Sequence, residues 1–109
     1  MTVKELAAKC GFDAIAMPDP DREVVGAYIG DLLSWVMGRA SADNAWITIM
    51  SNVNVVAVAS LSDVSCVILA EGVTPEESVI AAAESKGINM LRSGLAIYGV
   101  AKMLSDIPV

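Results

Sequence analysis

Two short apolar runs in the middle of the chain constrain its fold more than any other feature. They are Ala45–Met50 (AWITIM) and Ser65–Ala70 (SCVILA), which contain aromatic and β-branched residues. Continuous apolar runs of this length are typical of strands covered on both faces, as in a parallel sheet. Val55–Leu61 (VVAVASL) lies between them, and two neighbouring parallel strands need a crossover that is usually a helix. We therefore predict strand, helix and strand across this stretch.

The central helix is predicted from its context, because valine alone would favour a strand. Asn54 precedes Val55–Leu61 and offers an N-cap, since its side-chain oxygen can accept a hydrogen bond from the first helical turn. A β-hairpin over the same residues is the competing interpretation. We adopt the βαβ interpretation.

The high apolar content raises the alternatives of a membrane protein and an oligomer. Hydrophobic residues make up 55% of the 109 residues, and the mean hydropathy is +0.60. The longest uncharged run, Asn44–Ser62, is long enough for a membrane span, but Asn52 and Asn54 near its centre argue against one. The N-terminus lacks the pattern of a signal peptide. We expect a cytoplasmic protein whose excess apolar surface enters a covered sheet, a subunit interface, or both.

Charge and composition exclude several classes of function. The net charge is −6 and the seven basic residues are scattered singly, so we expect neither a nucleic-acid partner nor an anionic membrane surface. The chain has no histidine, which excludes the usual catalytic triads and ordinary zinc sites. Cys10 and Cys66 are too far apart in sequence for a metal motif or a redox pair. We predict no metal and no cofactor, with Cys66 in the core and Cys10 exposed.

The remaining elements follow from caps, turns and periodicity. Thr2 and Glu5 have capping-box spacing, and so do Thr74 and Glu77, while Asp31 is placed to cap a helix whose apolar stripe is Leu32, Leu33, Val36 and Met37. The predicted fold class is α/β, as one domain over residues 1–109. The other predicted elements are helices Val3–Cys10, Pro75–Lys86 and Leu95–Ser105, and strands Phe12–Met17, Val24–Ile29 (with Gly26 inside it) and Asn89–Arg92.

Small polar residues follow the predicted parallel strands, where ligands bind in such sheets. Asn52, Asn54, Gly72 and Thr74 are the candidates for a ligand site. The simpler interpretation is that these residues only cap helices.

Asp21 and Arg22 are further candidates for ligand binding, against the simpler interpretation of a local ion pair or turn cap. Asp31, Asp63 and Glu71 could pair as acid and base. No histidine, lysine or cysteine is placed beside them, so we predict no catalytic residues and no enzyme.

The sequence resembles the DRTGG domain family and, more distantly, the N-terminal non-catalytic domain of HPr kinase/phosphorylase. The segments that carry the resemblance are Asp21–Leu33, Trp46–Glu77 and Ala81–Ser93. They include an Asp-Arg-Glu step before a glycine-containing strand, a glycine before an apolar-x-Pro turn, and a Lys-Gly-Ile step before the last strand. Stand-alone relatives often carry a histidine just before the asparagine that starts the core helix, whereas the segment Ser51–Asn54 of this chain has none.

The resemblance implies a non-catalytic module with the fold of an α/β/α sandwich, whose central sheet is partly parallel (mixed) and has about four or five strands. Such domains occur beside CBS domains in pyrophosphatases and phosphotransacetylases, where they help subunits to pair. Stand-alone copies occur in anaerobes near genes for hydrogenases and sensor kinases. We expect a regulatory or scaffold domain that forms a homodimer, with Tyr28 and Trp35 as interface candidates, and that acts through such a partner protein. The alternative is a sensor of a nucleotide or another metabolite.

Overall fold

The computed structural model, which describes residues 1–109, has five strands and five helices that alternate along most of the chain. In chain order they are α1 (Val3–Cys10), β1 (Asp13–Ala16), β2 (Ala27–Ile29), α2 (Leu33–Arg39), β3 (Ala45–Thr48), α3 (Val53–Ser62), β4 (Cys66–Leu69), α4 (Glu77–Lys86), β5 (Met90–Arg92) and α5 (Ile97–Ser105).

The strands form one mixed sheet in the order β1-β5-β4-β3-β2. Strands β2 to β5 are parallel, and β1 pairs antiparallel with β5. Because β3 and β4 are parallel neighbours joined by α3, the βαβ prediction is confirmed and the hairpin interpretation is wrong. The α/β fold class with a mixed central sheet is confirmed as well.

Side chains that alternate along the strands divide the core into two halves. On one face, Ile47 and Ile68 pack with α1 and α5; on the other, Trp46 and Val67 pack with α2, α3 and α4. Every residue of β3 and β4 is buried, which the two continuous apolar runs predicted. Two helices therefore cover one face of the sheet and three cover the other.

The buried thiols lie on the face of α1 and α5. Cys66 is fully buried, as predicted, and burial raises its pKa to about 12. The prediction that Cys10 is exposed is wrong, because it shares the inward face of α1 with Leu6 and Ala7. Burial also raises the pKa of Cys10.

Helix α1 has the limits that its sequence predicted. Glu5 N–H donates to Thr2 Oγ1 (3.2 Å), and Thr2 N–H donates to Glu5 Oε1 (3.0 Å), which completes the capping box. These hydrogen bonds lower the pKa of the Glu5 carboxyl. Gly11 ends the helix with φ of 70°, a left-handed conformation that glycine adopts without strain.

Three predicted N-caps are wrong. Asn52, and not Asn54, caps α3, and its side chain accepts the Asn54 N–H (2.9 Å). The side chain of Asp31 bonds to the end of β3 and leaves α2 without a side-chain cap. Helix α4 begins at Glu77, after the predicted cap at Thr74.

The late start of α4 has a structural cause. The N–H groups of Glu71 and Gly72 donate to Leu95 and Ser93 carbonyls, which ties this loop to the one after β5. The chain therefore passes along the edge of the sheet, where Pro75 is buried, before α4 begins at Glu77.

Strands β1 and β2 are shorter than predicted. Gly26 precedes β2 at φ of 71°, so it lies outside the strand and does not form a bulge within it. Helix α2 buries only Val36 of its predicted apolar stripe. This helix packs against α3 beside the edge strand β2, where no further element covers it.

Candidate functional site

A polar cleft lies at the carboxyl edge of the parallel strands. It is formed by the loop between β3 and α3 and the loop between β4 and α4, which are adjacent because their strands are neighbours in the sheet. Its volume is about 420 Å³. The residues that line it are Ser51, Asn52, Val53, Thr74, Glu76, Ser78 and Val79.

Most polar groups of this cleft have hydrogen-bonding capacity to spare. Asn52 uses its Oδ1 to accept the Asn54 N–H and leaves its amide Nδ2 without a partner. Thr74 Oγ1 makes one long bond to the Gly72 carbonyl (3.4 Å) and can still accept. The Ser51 hydroxyl and the Glu76 carboxylate form no hydrogen bond or ion pair with the protein. The cleft can therefore bind a ligand that both donates and accepts hydrogen bonds.

Glu76 gives the cleft its only charge, since no lysine or arginine lines it. Arg92 is at the same edge of the sheet, at the end of β5. Its guanidinium pairs with Asp13 (3.1 Å) and donates to the Gly72 carbonyl (3.3 Å). The cleft is thus negative, which favours neutral or cationic groups over anions.

The structure brings together two of the predicted ligand-site residues, Asn52 and Thr74, across the cleft. Asn54 lies in the first turn of α3, exposed to solvent, and does not line the cleft. Gly72 adopts φ of 70° in the adjoining loop, where its carbonyl accepts bonds from Arg92 and Thr74. Gly72 therefore holds the shape of the loop next to the cleft but does not itself line the cleft.

Asp21 and Arg22 lie at the opposite edge of the sheet, far from the cleft along the strands. Arg22 donates to Asp43 Oδ1 (3.0 Å), Asp63 Oδ1 (2.8 Å) and the Asp63 carbonyl (2.7 Å). Burial alone would lower the pKa of Arg22, but its hydrogen bonds to the carboxylates of Asp63 and Asp43 outweigh burial and raise the pKa. Arg22, which precedes β2, is thus hydrogen-bonded to the segments that lead into β3 and β4. Asp21 forms only an exposed pair with Lys4 (3.6 Å).

The carboxylates considered for acid and base roles do not meet. Asp31 accepts the Thr48 hydroxyl (2.7 Å) at the carboxyl edge, whereas Asp63 binds Arg22 at the amino edge. Glu71 is exposed in the loop after β4. No three histidine, cysteine, aspartate or glutamate residues are grouped so that they could hold a metal ion.

A second concave surface, which we call the apolar groove, lies between β2 and α5. It has a volume of about 360 Å³. The groove is lined by Ala27, Tyr28, Ile29, Ile47, Ala101, Leu104, Ser105 and Val109. Ile29 is 49% exposed, and Tyr98 is 78% exposed on the same face of α5 as Ala101 and Ser105. Apolar surface thus continues from the groove onto the helix.

The two interface candidates from the sequence lie in different places. Tyr28 borders the apolar groove and is half-buried against the cluster on the opposite face of the sheet. Trp35 is on α2, on that opposite face, and is 52% exposed. The Arg39 guanidinium stacks over its ring, 3.7 Å from the centroid.

Sequence reasoning missed several residues of both surfaces. Glu76 and Ser78 were assigned to a helix end, because the Thr74 cap was placed two residues too early. Ile29 was assigned to a strand, and its exposure depends on β2 being an edge strand. Nothing in the sequence marks β2 as an edge strand, which only the strand order shows.

The fold and both surfaces can be compared with known proteins. The DRTGG domain family model matches residues 23–107. A solved structure with the same fold is the regulatory region of a Clostridium perfringens pyrophosphatase, which comprises CBS and DRTGG domains in complex with the activator diadenosine tetraphosphate. The TM-score is 0.73 at 17% sequence identity, over 99% of this chain and 48% of that chain. This chain therefore spans about half the length of that structure.

Comparison with curated proteins gives no match. None of the five helices is both long and apolar enough to cross a membrane.

Proposed function

The chain belongs to the DRTGG domain family, and from this premise we propose that it is a non-catalytic regulatory or scaffold domain that pairs with a second copy of itself. DRTGG domains are regulatory. The proposal assigns this protein no reaction of its own. It acts in the cytoplasm by presenting a surface to other proteins.

The observation that carries the proposal is the open apolar groove beside β2. Ala27 and Ile29 point to the face of α1 and α5, because they pair with Ala45 and Ile47, yet no helix covers them. Uncovered apolar surface of this kind often marks an interaction site. A second copy is the proposed occupant.

The free edge of β2 supports pairing at the same place. The Ala45 N–H donates to the Gly26 carbonyl, and the Gly30 N–H donates to the Ile47 carbonyl. Alternate residues of a strand bond to the same neighbour, so the backbone groups of Ala27 and Ile29 point away from the sheet. Such an edge is a template for another strand, and a twofold dimer would satisfy both copies at once.

Size-exclusion chromatography with light scattering at tens of micromolar tests the proposal. We expect twice the mass of one chain. Ile29→Glu should give the mass of one chain, because twofold symmetry opposes two new carboxylates and costs about 3 kcal/mol, or roughly 100-fold in Kd. The matched control is Leu61→Glu, which changes a 76% exposed residue on α3, away from the groove, and should remain a dimer.

Two results would contradict the proposed interface. A wild-type mass of one chain throughout the concentration range would remove self-association. A dimer of Ile29→Glu with a monomer of Trp35→Glu would move the interface to α2, where Trp35 is the alternative candidate.

A partner protein is the second part of the proposal. Its support is the resemblance of the chain to stand-alone domains found near hydrogenase and sensor-kinase genes. The partner is accordingly a protein of anaerobic redox or hydrogen metabolism. Affinity capture with wild-type protein and the Ile29→Glu variant would show whether that partner needs the dimer.

The second candidate function is a sensor of a nucleotide or another small metabolite. The observation that favours it is the polar cleft at the carboxyl edge, which combines Asn52 and Thr74 with unpaired hydroxyl and carboxylate groups. Asn54, Gly72, Asp21 and Arg22 are then not contacts of the ligand. Gly72 shapes the loop beside the cleft, whereas Asp21 and Arg22 lie at the opposite edge of the sheet. A true ligand would raise the Tm by mass action.

A further inference from the structure

We propose that the carboxyl-edge cleft binds an uncharged ligand through a vicinal diol, and that the two oxygens of the Glu76 carboxylate accept the two hydroxyl hydrogens. A nucleoside and a free sugar both carry this group. The inference rests on the second candidate function, sensing, and names the chemistry of the ligand. It also implies that phosphorylated forms of the same molecules bind more weakly.

The lining of the cleft matches a diol. An ionised carboxylate only accepts hydrogen bonds, and its two oxygens are spaced to accept from two adjacent hydroxyl groups. Glu76 is exposed at the cleft and forms no ion pair, so both oxygens are available. The Asn52 amide can donate to the ligand oxygens, and the Ser51 and Ser78 hydroxyls can do either. The ligand's hydroxyls would thus be satisfied as donors and as acceptors.

The charge of the cleft opposes phosphate. The N-termini of α3 and α4 border it and carry partial positive charge, which by itself would attract an anion. Asn52 already satisfies one N–H of α3, and the full negative charge of Glu76 sits at the N-cap of α4. No cation lines the cleft to offset that charge, and the net charge of the chain is −6. A phosphate would meet repulsion without a compensating ion pair.

The size and walls of the cleft suit a small molecule. Its volume of about 420 Å³ falls within the range of about 300–1,000 Å³ typical of ligand pockets. Val53 and Val79 give it two apolar walls, against which the ring carbons of a sugar or the face of a base can pack.

Four probes test the inference by titration calorimetry and thermal shift: adenosine, 2′-deoxyadenosine, AMP and ribose. Adenosine differs from 2′-deoxyadenosine by one hydroxyl of the diol and from AMP by the phosphate. We expect adenosine or ribose to bind, and 2′-deoxyadenosine to bind about tenfold more weakly than adenosine, as expected for one lost bond to a charged group. AMP keeps the diol but should also bind more weakly than adenosine, because its phosphate is repelled by the Glu76 carboxylate. Binding of ribose alone would identify a free sugar as the source of the diol.

Matched variants locate the effect. Glu76→Gln keeps the shape of the side chain but should weaken adenosine or ribose about tenfold and bring AMP closer to adenosine. Glu77→Gln removes the same charge one residue further along, outside the cleft lining, and should leave binding unchanged. The Tm of each free variant shows that it is folded, since both side chains are exposed.

The results separate this inference from the function on which it rests. AMP that binds as tightly as adenosine, or more tightly, would overturn the inference and leave sensing intact. Equal binding of adenosine and 2′-deoxyadenosine would also overturn it. If none of the four probes binds at millimolar concentration, the inference is wrong, and the scaffold function remains.

Discussion

The two faces of the sheet are covered unequally at β2, and the difference separates stability from interaction. On one face, Tyr28 and Trp46 are neighbours across β2 and β3 and belong to the cluster under α2, α3 and α4. On the other face, Ala27 and Ile29 pair with Ala45 and Ile47. Helix α5 covers β3 on this face but leaves β2 open. One strand therefore has a structural face and an open face.

Strand β2 is held in place without its open face. The Trp46 indole N–H donates to the Gly30 carbonyl (2.9 Å), and the Thr48 hydroxyl donates to Asp31 (2.7 Å). Both bonds join the end of β2 to β3, and Trp46 and Thr48 are fully buried. The open face can consequently exchange solvent for a partner without a change in the fold.

The largest expected effect contrasts Trp46→Ala with Ile29→Ala. Trp46→Ala should lower the free energy of unfolding by about 3–5 kcal/mol, because it leaves a cavity in the covered face and removes the bond to Gly30. Ile29→Ala should change it by less than about 0.5 kcal/mol, as a surface substitution does. Urea unfolding at low protein concentration, where pairing contributes least, measures both. Similar losses for the two variants would contradict the comparison.

A smaller effect is expected from Asp31→Ala, which tests how β2 is anchored. The change leaves the buried Thr48 hydroxyl and the Ile49 N–H without their acceptor, and should cost about 1–2 kcal/mol. The control is Asp21→Ala, whose only pair is the exposed one with Lys4 and which should cost about 0–0.5 kcal/mol. If urea unfolding shows no difference between them, β2 is anchored by other contacts.

Local patterns in the sequence predicted the elements whose limits depend on neighbouring residues alone. Helix α1 has its predicted limits because Thr2, Glu5 and Gly11 define both ends within one short segment. Strands β3 and β4 were found because burial on both faces leaves a continuous apolar run.

The errors arose where distant segments decide the outcome. Asn52 and Asn54 are equally good caps by composition, and the choice depends on where the chain leaves β3. The Thr74 capping box was overridden by the hydrogen bonds of Glu71 and Gly72 to the loop after β5. Only part of the polar cleft was predicted, for the same reason. The ends of its strands could be predicted, but Glu76 could be placed in the cleft only once the true start of α4 was known. The open face of β2 required the strand order.

Hydrogen exchange of the β2 amides would show directly whether the protein self-associates at the open face. Mass spectrometry would follow the peptide that contains Ala27 and Ile29 at low and high protein concentration, with Ile29→Glu as the control. We expect exchange in wild-type protein to slow as the concentration rises and exchange in Ile29→Glu to stay unchanged. Concentration-independent exchange at β2, in a protein that light scattering shows to be a dimer, would contradict self-association at the open face of β2.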